Sequence, residues 1–231
     1  MLLAIDTSTR YAGAALVSTD GQLLRLVHWH SQHNHSVELL PTIKALLIQE
    51  DTHVQKLDAI AIAIGPGSFS ALRVGLSVAK GLALALKLPM VAVTTLEAEA
   101  HPYRMTKAPV VALMDAGRGE IAWAAFAQIH GEFRQTNSAQ ISPSEELAKK
   151  LPTPALICGE GLERHGTDLA KAVAPISNDV QLVLPYLSGL RVSALAHLGH
   201  TRLALDQTED PATLQPLYLR RPTITPPKQP S

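Results

Sequence analysis

The residues with the clearest chemical potential lie in a glycine-rich turn at 65–75, which reads GPGSFSALRVG. Glycine allows close backbone approaches that other residues forbid, and a serine at 68 or 70 can cap a following helix. The free N–H groups at such a helix start could hold an anion. The alternative is a tight strand-to-helix turn without a ligand, because the segment matches neither a P-loop nor a Gly-x-Gly-x-x-Gly pattern. The candidate residues of this loop are Gly65, Pro66, Gly67, Ser68 and Arg73.

A second candidate site follows the first apolar run, where Asp6 precedes Thr7 and Ser8. A carboxylate at a strand end can orient a hydrated Mg²⁺ ion near the phosphates of a nucleotide. The alternative is that Asp6 hydrogen-bonds the backbone of its own turn. Asp6, Thr7 and Ser8 are therefore candidate nucleotide contacts, with both interpretations open. Asp115 ends a later apolar run and is a weaker candidate, because a glycine-rich turn follows it.

Neither a metal site nor a catalytic nucleophile is predicted. The densest group of metal-ligating residue types is the set His28, His30, His33 and His35. The first two would alternate at a strand end and the others would lie in a loop, which favours a polar surface over a metal site. Cys158 lies in an apolar run and is predicted to belong to the core.

The composition is that of an aliphatic globular protein of 231 residues, with 46% apolar and 4% aromatic residues. The formal net charge of +0 gives no global basic field to hold a nucleic acid unaided. A single cysteine excludes a disulfide framework and indicates a reducing compartment. The opening apolar run is too short for a signal peptide, and no run reaches the roughly 20 apolar residues of a membrane span. We expect a cytoplasmic protein that does not enter a membrane.

The order of predicted elements repeats along the chain. Periodicity in the first half predicts strands at 2–6, 12–17 and 23–29, a helix at 36–49, a strand at 58–64, a helix at 70–86 and a strand at 90–93. The second half predicts strands at 110–115, 121–128 and 132–140, a short helix from 142, a strand at 155–158 and helices at 162–173 and 188–205.

Two such βββαβα units indicate an internal duplication. The best match is an α/β, actin-like (ASKHA, RNase H-like) fold, in which two lobes face each other across a cleft. The predicted division is an N-terminal lobe at 1–104, a C-terminal lobe at 105–221 and a Pro-rich tail at 222–231.

The two helices of the first half offer an interface for a partner. Small residues recur four apart along the helix at 70–86, where they permit close approach of another helix, and the helix at 36–49 is rich in Leu and Ile. The alternative is that this stripe packs on the protein's own sheet. The predicted interface residues are Ser36, Leu39, Leu40, Ile43, Leu72, Gly75, Leu76, Ala79 and Ala83.

Six segments, in order along nearly the whole chain, resemble the bacterial TsaB (YeaZ) family. They are the segments at 3–9 (LAIDTST), 35–41 (HSVELLP), 65–75, 93–98 (VTTLEA), 115–120 (DAGRGE) and 216–220 (PLYLR). The chain departs from the family pattern at Ser70 and Ala71, where Thr and Gly are usual, and at Gly117, where Arg is usual.

The resemblance implies a non-catalytic partner in the synthesis of threonylcarbamoyladenosine (t6A) at A37 of ANN-decoding tRNAs. It implies pairing with the catalytic paralogue TsaD, an ATPase partner TsaE, a homodimer in isolation, and contact with tRNA only through the complex. It implies no cofactor of its own, with a site for ATP or ADP at the interface with TsaD. The paralogue carries a His-x-x-x-His metal motif where this chain has Thr95 and Glu99, so no metal ion is expected here.

Two rival functions stay open. A small-metabolite or sugar kinase of the same fold would need a phosphate-binding turn in each half and an Asp aimed at the substrate hydroxyl, and only the first half offers a persuasive turn. A peptidase would need a nucleophile or metal set, which the sequence does not offer.

Overall fold

The computed structural model describes residues 1–32 and 34–220, and its first half is built on a five-stranded sheet. The strands are β1 (Leu2–Asp6), β2 (Tyr11–Val17), β3 (Leu23–His30), β4 (Ala59–Ala63) and β5 (Met90–Val93), in the order β3-β2-β1-β4-β5. β1 and β4 are buried along their whole length because helices cover both faces of the sheet. Leu3 and Ile5 face one helical layer, and Leu2 and Ala4 face the other.

The second half repeats this strand order in a second sheet. Its strands are β6 (Val110–Gly117), β7 (Glu120–Ile129), β8 (Glu132–Gln135), β9 (Gln140–Ser142), β10 (Ala155–Cys158) and β11 (Val180–Leu182). The order is β8-β7-β6-β10-β11, with β9 paired to β7. In both sheets an antiparallel meander leads into two parallel strands, so the predicted α/β, actin-like fold of two duplicated units is confirmed.

Six helices enclose the two sheets within the described part of the chain. They are α1 (His35–Gln49), α2 (Phe69–Leu86), α3 (Thr95–Ala100), α4 (Ser144–Lys150), α5 (Gly161–Val173) and α6 (Gly189–Ala204). α1 and α2 cover one face of the first sheet, and α6 covers the other. α4 and α5 pack on the second sheet. α3 contributes to clusters on both sheets and therefore joins the lobes.

The C-terminal part of the chain returns to the first lobe. α6 packs against β1, β2 and β4, although its sequence position falls in the predicted second lobe. Beyond it, Leu214 joins the core of the first lobe, and the Leu217 N–H donates to the Ile64 carbonyl at 2.7 Å. The division at residue 104 stays a prediction. A division by sequence position alone assigns α6 and Leu214 to the second lobe, although both pack on the first. The predicted tail at 222–231 lies outside the described residues.

One predicted strand is wrong. The run at 132–140 forms two strands, β8 and β9, separated by residues 136–139. Asn137 interrupts the pairing because its side-chain oxygen accepts the N–H of Ala125 at 2.6 Å, which a strand partner would otherwise bind.

The predicted partner-facing stripe of α2 is also wrong. Gly75, Ala79 and Ala83 are buried within the chain, since their helical spacing places them against the first sheet. Most of the other predicted interface residues lie in the same core, namely Leu39, Ile43, Leu72 and Leu76. Of the predicted set, only Ser36 and Leu40 are exposed. The open alternative, packing on the protein's own sheet, is the arrangement found.

α2 is the one helix in residues 1–32 and 34–220 that is long and apolar enough to cross a membrane by length and composition. Its buried face contacts the first sheet, as a core helix does. Length and composition alone are weak grounds for a membrane span, so the helix is assigned to the protein core.

Candidate functional site

The glycine-rich segment holds the loop that follows β1. The Ser68 N–H donates to the Ser8 carbonyl at 2.7 Å, and the Thr7 hydroxyl donates to the Ala71 carbonyl at 2.7 Å. A Cβ atom added to Gly75 would lie 2.2 Å from Thr7 Oγ1. Gly75 is therefore needed for close approach within the chain.

The start of the segment is equally tight. A Cβ atom on Gly67 would lie 2.2 Å from the Ser8 carbonyl oxygen, and one on Gly65 would lie 2.9 Å from that of Leu217. Gly65 has φ +107°, a conformation that favours glycine. Ser68 is the N-cap of α2, without a side-chain cap hydrogen bond. The segment therefore holds the loop after β1 in place. Anion binding by its N–H groups stays a prediction.

The two departures at the start of α2 do not disturb this arrangement. Ser70 and Ala71 both lie inside the first turn of α2, and Ala71 is 3% exposed. A helical backbone has negative φ, so the glycine that is usual at 71 supplies no conformation that Ala71 lacks.

Asp6 is fully buried, and both of its carboxylate oxygens are engaged. Oδ1 accepts the Ser8 N–H at 2.8 Å and also the Ser8 hydroxyl. Oδ2 accepts Arg191 Nε at 2.6 Å. This geometry supports the alternative in which Asp6 organises its own turn. A nucleotide contact by Asp6, Thr7 or Ser8 stays a prediction, and for Asp6 it would require the Arg191 pair to open.

Arg191, on the first turn of α6, is the centre of a buried network between the lobes. Its side chain is 0% exposed, and Nη1 donates to Glu99 Oε1 and Glu160 Oε2, both at 2.9 Å. Nη2 donates to Thr9 Oγ1 at 2.9 Å and to the Tyr11 carbonyl at 2.6 Å. One guanidinium therefore ties the loop after β1, α3 and the start of α5 together.

The ionisation of this network follows from burial. Desolvation raises the pKa of Glu99, against the opposing effect of Arg191 and of the Tyr186 hydroxyl, which donates to Glu99 at 2.8 Å. Burial by itself would lower the pKa of Arg191, but Asp6 and the other acidic neighbours outweigh it and raise that pKa well above its usual value. Arg191 therefore stays charged. Its positive charge compensates the buried carboxylates that it contacts.

Sequence reasoning missed Arg191. Its position in the sequence could have revealed it as a buried residue. Arg191 lies three and four residues before Ala194 and Leu195, so all three share one face of the predicted helix. A charged residue on an apolar face needs a buried partner, and Asp6 was already a candidate acid.

A cleft of about 500 Å³ separates the lobes beside this network. Thr9 and Phe69 line it from the first lobe, Asp115 from the second, and residues 217–220 from the returning C-terminal segment. Asp115 accepts His165 Nε2 and Arg164 Nη1, each at 2.9 Å. Burial would raise the pKa of Asp115, but these partners and a backbone N–H lower it overall. Like Asp6, Asp115 serves contacts within the chain.

The histidine-rich segment does not converge on one point. His28 Nε2 lies 2.6 Å from Ser188 Oγ, whereas His35 Nε2 lies 2.9 Å from the Thr9 carbonyl. His30 packs against Tyr11, and His33 lies outside the described residues. Over residues 1–32 and 34–220, no group of three or more His, Cys, Asp or Glu side chains is arranged to hold a metal ion.

Thr95 and Glu99, which stand where the paralogue has its metal-binding histidines, are both buried. Thr95 is 0% exposed, and Glu99 belongs to the Arg191 network. Cys158 is buried, which raises the pKa of its thiol, and its sulfur contacts the Glu99 carbonyl at 3.5 Å. None of these three side chains lines the cleft described above.

Four exposed, large apolar side chains of the first lobe lie on α1 and α2, on a surface that we call the outer helix face. Val37, Leu40 and Ile48 on α1 are 65%, 51% and 65% exposed, and Leu84 on α2 is 57% exposed. Gly81 of α2 is exposed too, and apart from its chain neighbours and the backbone of α2 no described atom lies within 4 Å of its Cβ position. Another helix could therefore approach α2 closely at Gly81.

Comparison with known proteins gives consistent matches. The family model described as TsaD, tRNA N6-adenosine threonylcarbamoyltransferase, matches residues 29–212. The tRNA threonylcarbamoyladenosine biosynthesis protein TsaB of Escherichia coli (strain K12) is 32% identical over 232 residues, covering 95% of this chain and 94% of that relative.

Solved structures agree with these matches. YeaZ from Pseudomonas aeruginosa superposes with a TM-score of 0.76 at 28% identity, covering 94% of this chain and 99% of that one. A ROK family protein from Streptococcus pneumoniae, at 12% identity and a TM-score of 0.51, covers 89% of this chain and 99% of its own, and shares the fold alone. Sequence identity over nearly the full length and the shared architecture together show that the chain belongs to the TsaB (YeaZ) family.

Proposed function

We propose that this chain acts in t6A biosynthesis as a non-catalytic partner of a TsaD subunit. The observation that carries the proposal is the full-length match to proteins named for that pathway, together with a TsaD family model that fits residues 29–212. The chain is similar both to TsaB proteins and to the transferase family. This double similarity is what we expect of a paralogue that pairs with the transferase.

The interior of the chain supports a non-catalytic role. Thr95 is buried, and Glu99 is bound by Arg191 and Tyr186, so neither presents a ligand to a metal ion in the cleft. Asp6, the strongest acid candidate for kinase chemistry, is bound by the same arginine. A kinase would need such an acid to face its substrate. The rival kinase function is therefore supported only by the shared fold.

The outer helix face is the proposed surface for TsaD. It exposes four large apolar side chains on two adjoining helices, which a partner helix pair could bury. Because TsaD resembles this chain over 29–212, it should carry an equivalent pair, and related surfaces can pack against each other about a two-fold axis. Leu40 belongs to this surface, whereas the small-residue stripe predicted from the sequence does not.

We further propose that ATP or ADP is held at the junction with TsaD, and that TsaE joins the assembled pair. The tRNA would bind through the complex, since the formal charge of this chain is +0. The separate binding of nucleotide or tRNA by the isolated chain is expected to be weak.

The test is a matched set of surface variants. Leu40→Asp and Leu84→Asp place a charge on the outer helix face, and Ile176→Asp is the control because Ile176 is 51% exposed, as Leu40 is. We expect the two former variants to lose capture of purified TsaD at least tenfold, with unchanged melting temperatures, and Ile176→Asp to bind normally. Equal binding by all three would place the interface elsewhere, and a change only in self-association would assign the face to a second copy.

The function itself is tested by nucleoside mass spectrometry. Depleting this protein in its host should lower t6A in ANN-decoding tRNAs, and wild-type protein should restore it. Unchanged t6A, with no substitute paralogue present, would contradict the proposed function.

A further inference from the structure

The segment at 216–220, which resembled the C-terminal motif of the family, has no part in the proposed function. The structure places it between the lobes. We call residues 209–220, the extended segment after α6, the C-terminal strap.

The first half of the strap is anchored on the first lobe. The Glu209 N–H donates at 2.7 Å to the carbonyl of Met90, the first residue of the edge strand β5. Lys80 Nζ on α2 donates to the carbonyls of Ala212 at 3.2 Å and Leu214 at 3.1 Å. The Leu214 side chain is 9% exposed and packs in the first-lobe core. These contacts fix both the backbone and a side chain.

The middle of the strap crosses the cleft. The Leu217 N–H donates to the Ile64 carbonyl at 2.7 Å, just before the glycine-rich segment. The Tyr218 ring packs on Phe69 with centroids 5.0 Å apart, and its hydroxyl accepts Arg73 Nε at 3.3 Å. Arg73 in turn lies 4.0 Å from the centre of the Phe69 ring. This part of the strap is therefore held by the start of α2.

The end of the strap is anchored on the second lobe. Leu219 packs against the apolar cluster that includes Met114 and Phe126. Arg220 forms an ion pair with Glu120 on β7. Two cavities, of about 500 and 330 Å³, are both lined by Leu217 and Leu219, so the strap separates them.

We propose that the groove between the lobes is a binding site for an extended peptide, that the protein's own strap is its occupant, and that the strap holds the lobes at a fixed spacing. The side chains of the strap contact both lobes, with Tyr218 on the first and Leu219 and Arg220 on the second. One continuous segment thus connects the two lobes, in addition to α3, Arg191 and the hydrogen bond from the Tyr11 hydroxyl to Glu163 on α5. This role goes beyond partnership with TsaD and does not depend on it.

The first test measures hydrogen–deuterium exchange in the full-length protein. Leu219→Ala removes the apolar anchor on the second lobe. We expect exchange in peptides spanning 214–220 and in the turn between β6 and β7 to become about tenfold faster (about 1.4 kcal/mol), with β1 and β4 unchanged. Leu205→Ala is the control, because Leu205 is 62% exposed. Wild-type exchange in Leu219→Ala would overturn the proposal.

A charge swap tests the same anchor without altering the core. Arg220→Glu and Glu120→Arg should each speed exchange of the strap about two- to threefold, the range expected for a partly exposed ion pair. The double variant should return towards the wild-type rate. If Leu219→Ala fails to fold, this cycle decides the question, and a double variant no better than either single one would overturn the proposed anchor.

Lobe spacing is measured directly with spin labels at Ile48→Cys and Ile176→Cys, exposed positions on α1 and just after α5. The buried Cys158 should remain unlabelled. We expect one narrow distance distribution in the otherwise wild-type protein and a broader one with Leu219→Ala. Identical distributions would show that the strap does not set the spacing.

Discussion

Replacing Arg191 with methionine should strongly destabilise the fold. Met keeps much of the side-chain volume but leaves Asp6, Glu99 and Glu160 without the guanidinium that now contacts all three. Removing one partner of a buried ion pair costs about 3–5 kcal/mol. For a chain of this size each kcal/mol shifts the melting temperature by about 2–4 °C, so a loss on the order of 10 °C is expected.

Arg202→Met is the matched control. Arg202 also lies on α6 and also binds a glutamate of α3, with Nη2 at 2.6 and 2.7 Å from the Glu97 carboxylate oxygens. Its side chain is 27% exposed, however, and that of Glu97 is 20% exposed. Water can hydrate Glu97 when its partner is lost, so the variant should lose only about 1 kcal/mol.

The pH dependence separates lost charge pairing from lost packing. Burial already raises the pKa of Glu99, and Arg191 opposes that rise, so Arg191→Met should raise it further. Above the unfolded pKa of about 4.3, the folded chain then holds a proton that the unfolded chain releases, and stability falls as pH rises through the folded pKa. The stability deficit of Arg191→Met should therefore be larger at pH 8 than at pH 5.

The assay is urea denaturation at pH 5 and pH 8 of the wild type, both arginine variants and the double variant Arg191→Met/Glu99→Gln. Glu99→Gln removes one buried charge, so it should recover part of the loss at pH 8 and little at pH 5. A deficit equal to that of Arg202→Met, or one that does not change with pH, would refute the reasoning.

Three further outcomes follow from local geometry. Gly75→Ala, whose Cβ would lie 2.2 Å from Thr7 Oγ1, should cost about 1–3 kcal/mol in urea denaturation; Gly81→Ala, in an open site on the same helix, should instead gain up to about 1 kcal/mol. Burial lowers the pKa of His101 to about 4, so between pH 6.5 and pH 4 this histidine is protonated in the unfolded chain but not in the folded one. The free energy of unfolding should therefore decrease as the pH is lowered through this range. The decrease should be smaller in His101→Phe. Cys158, a buried thiol with raised pKa, should resist iodoacetamide in the folded protein and react once urea unfolds it; equal rates would contradict its burial.

Local patterns in the sequence determined the elements and their order. The predicted strand at 90–93 and that at 155–158 coincide with β5 and β10, because short apolar runs bounded by turn residues specify buried strands without reference to distant contacts. The repeat of strand and helix order was enough to predict the duplicated, two-lobed fold. The strand at 132–140 failed because the interruption depends on a contact between Asn137 and Ala125 of a neighbouring strand.

Side-chain partners across the fold were decided only by the tertiary structure. Periodicity showed that the stripe of Gly75, Ala79 and Ala83 was small and apolar, but the same pattern suits a partner helix and the protein's own sheet. In the structure the stripe is buried against the protein's own sheet. Asp6 was recognised as a candidate, whereas Arg191 lies 185 positions away from it and was not. Pairing at that separation depends on how α6 returns to the first sheet, because long-range contacts are set by chain topology rather than by local propensity.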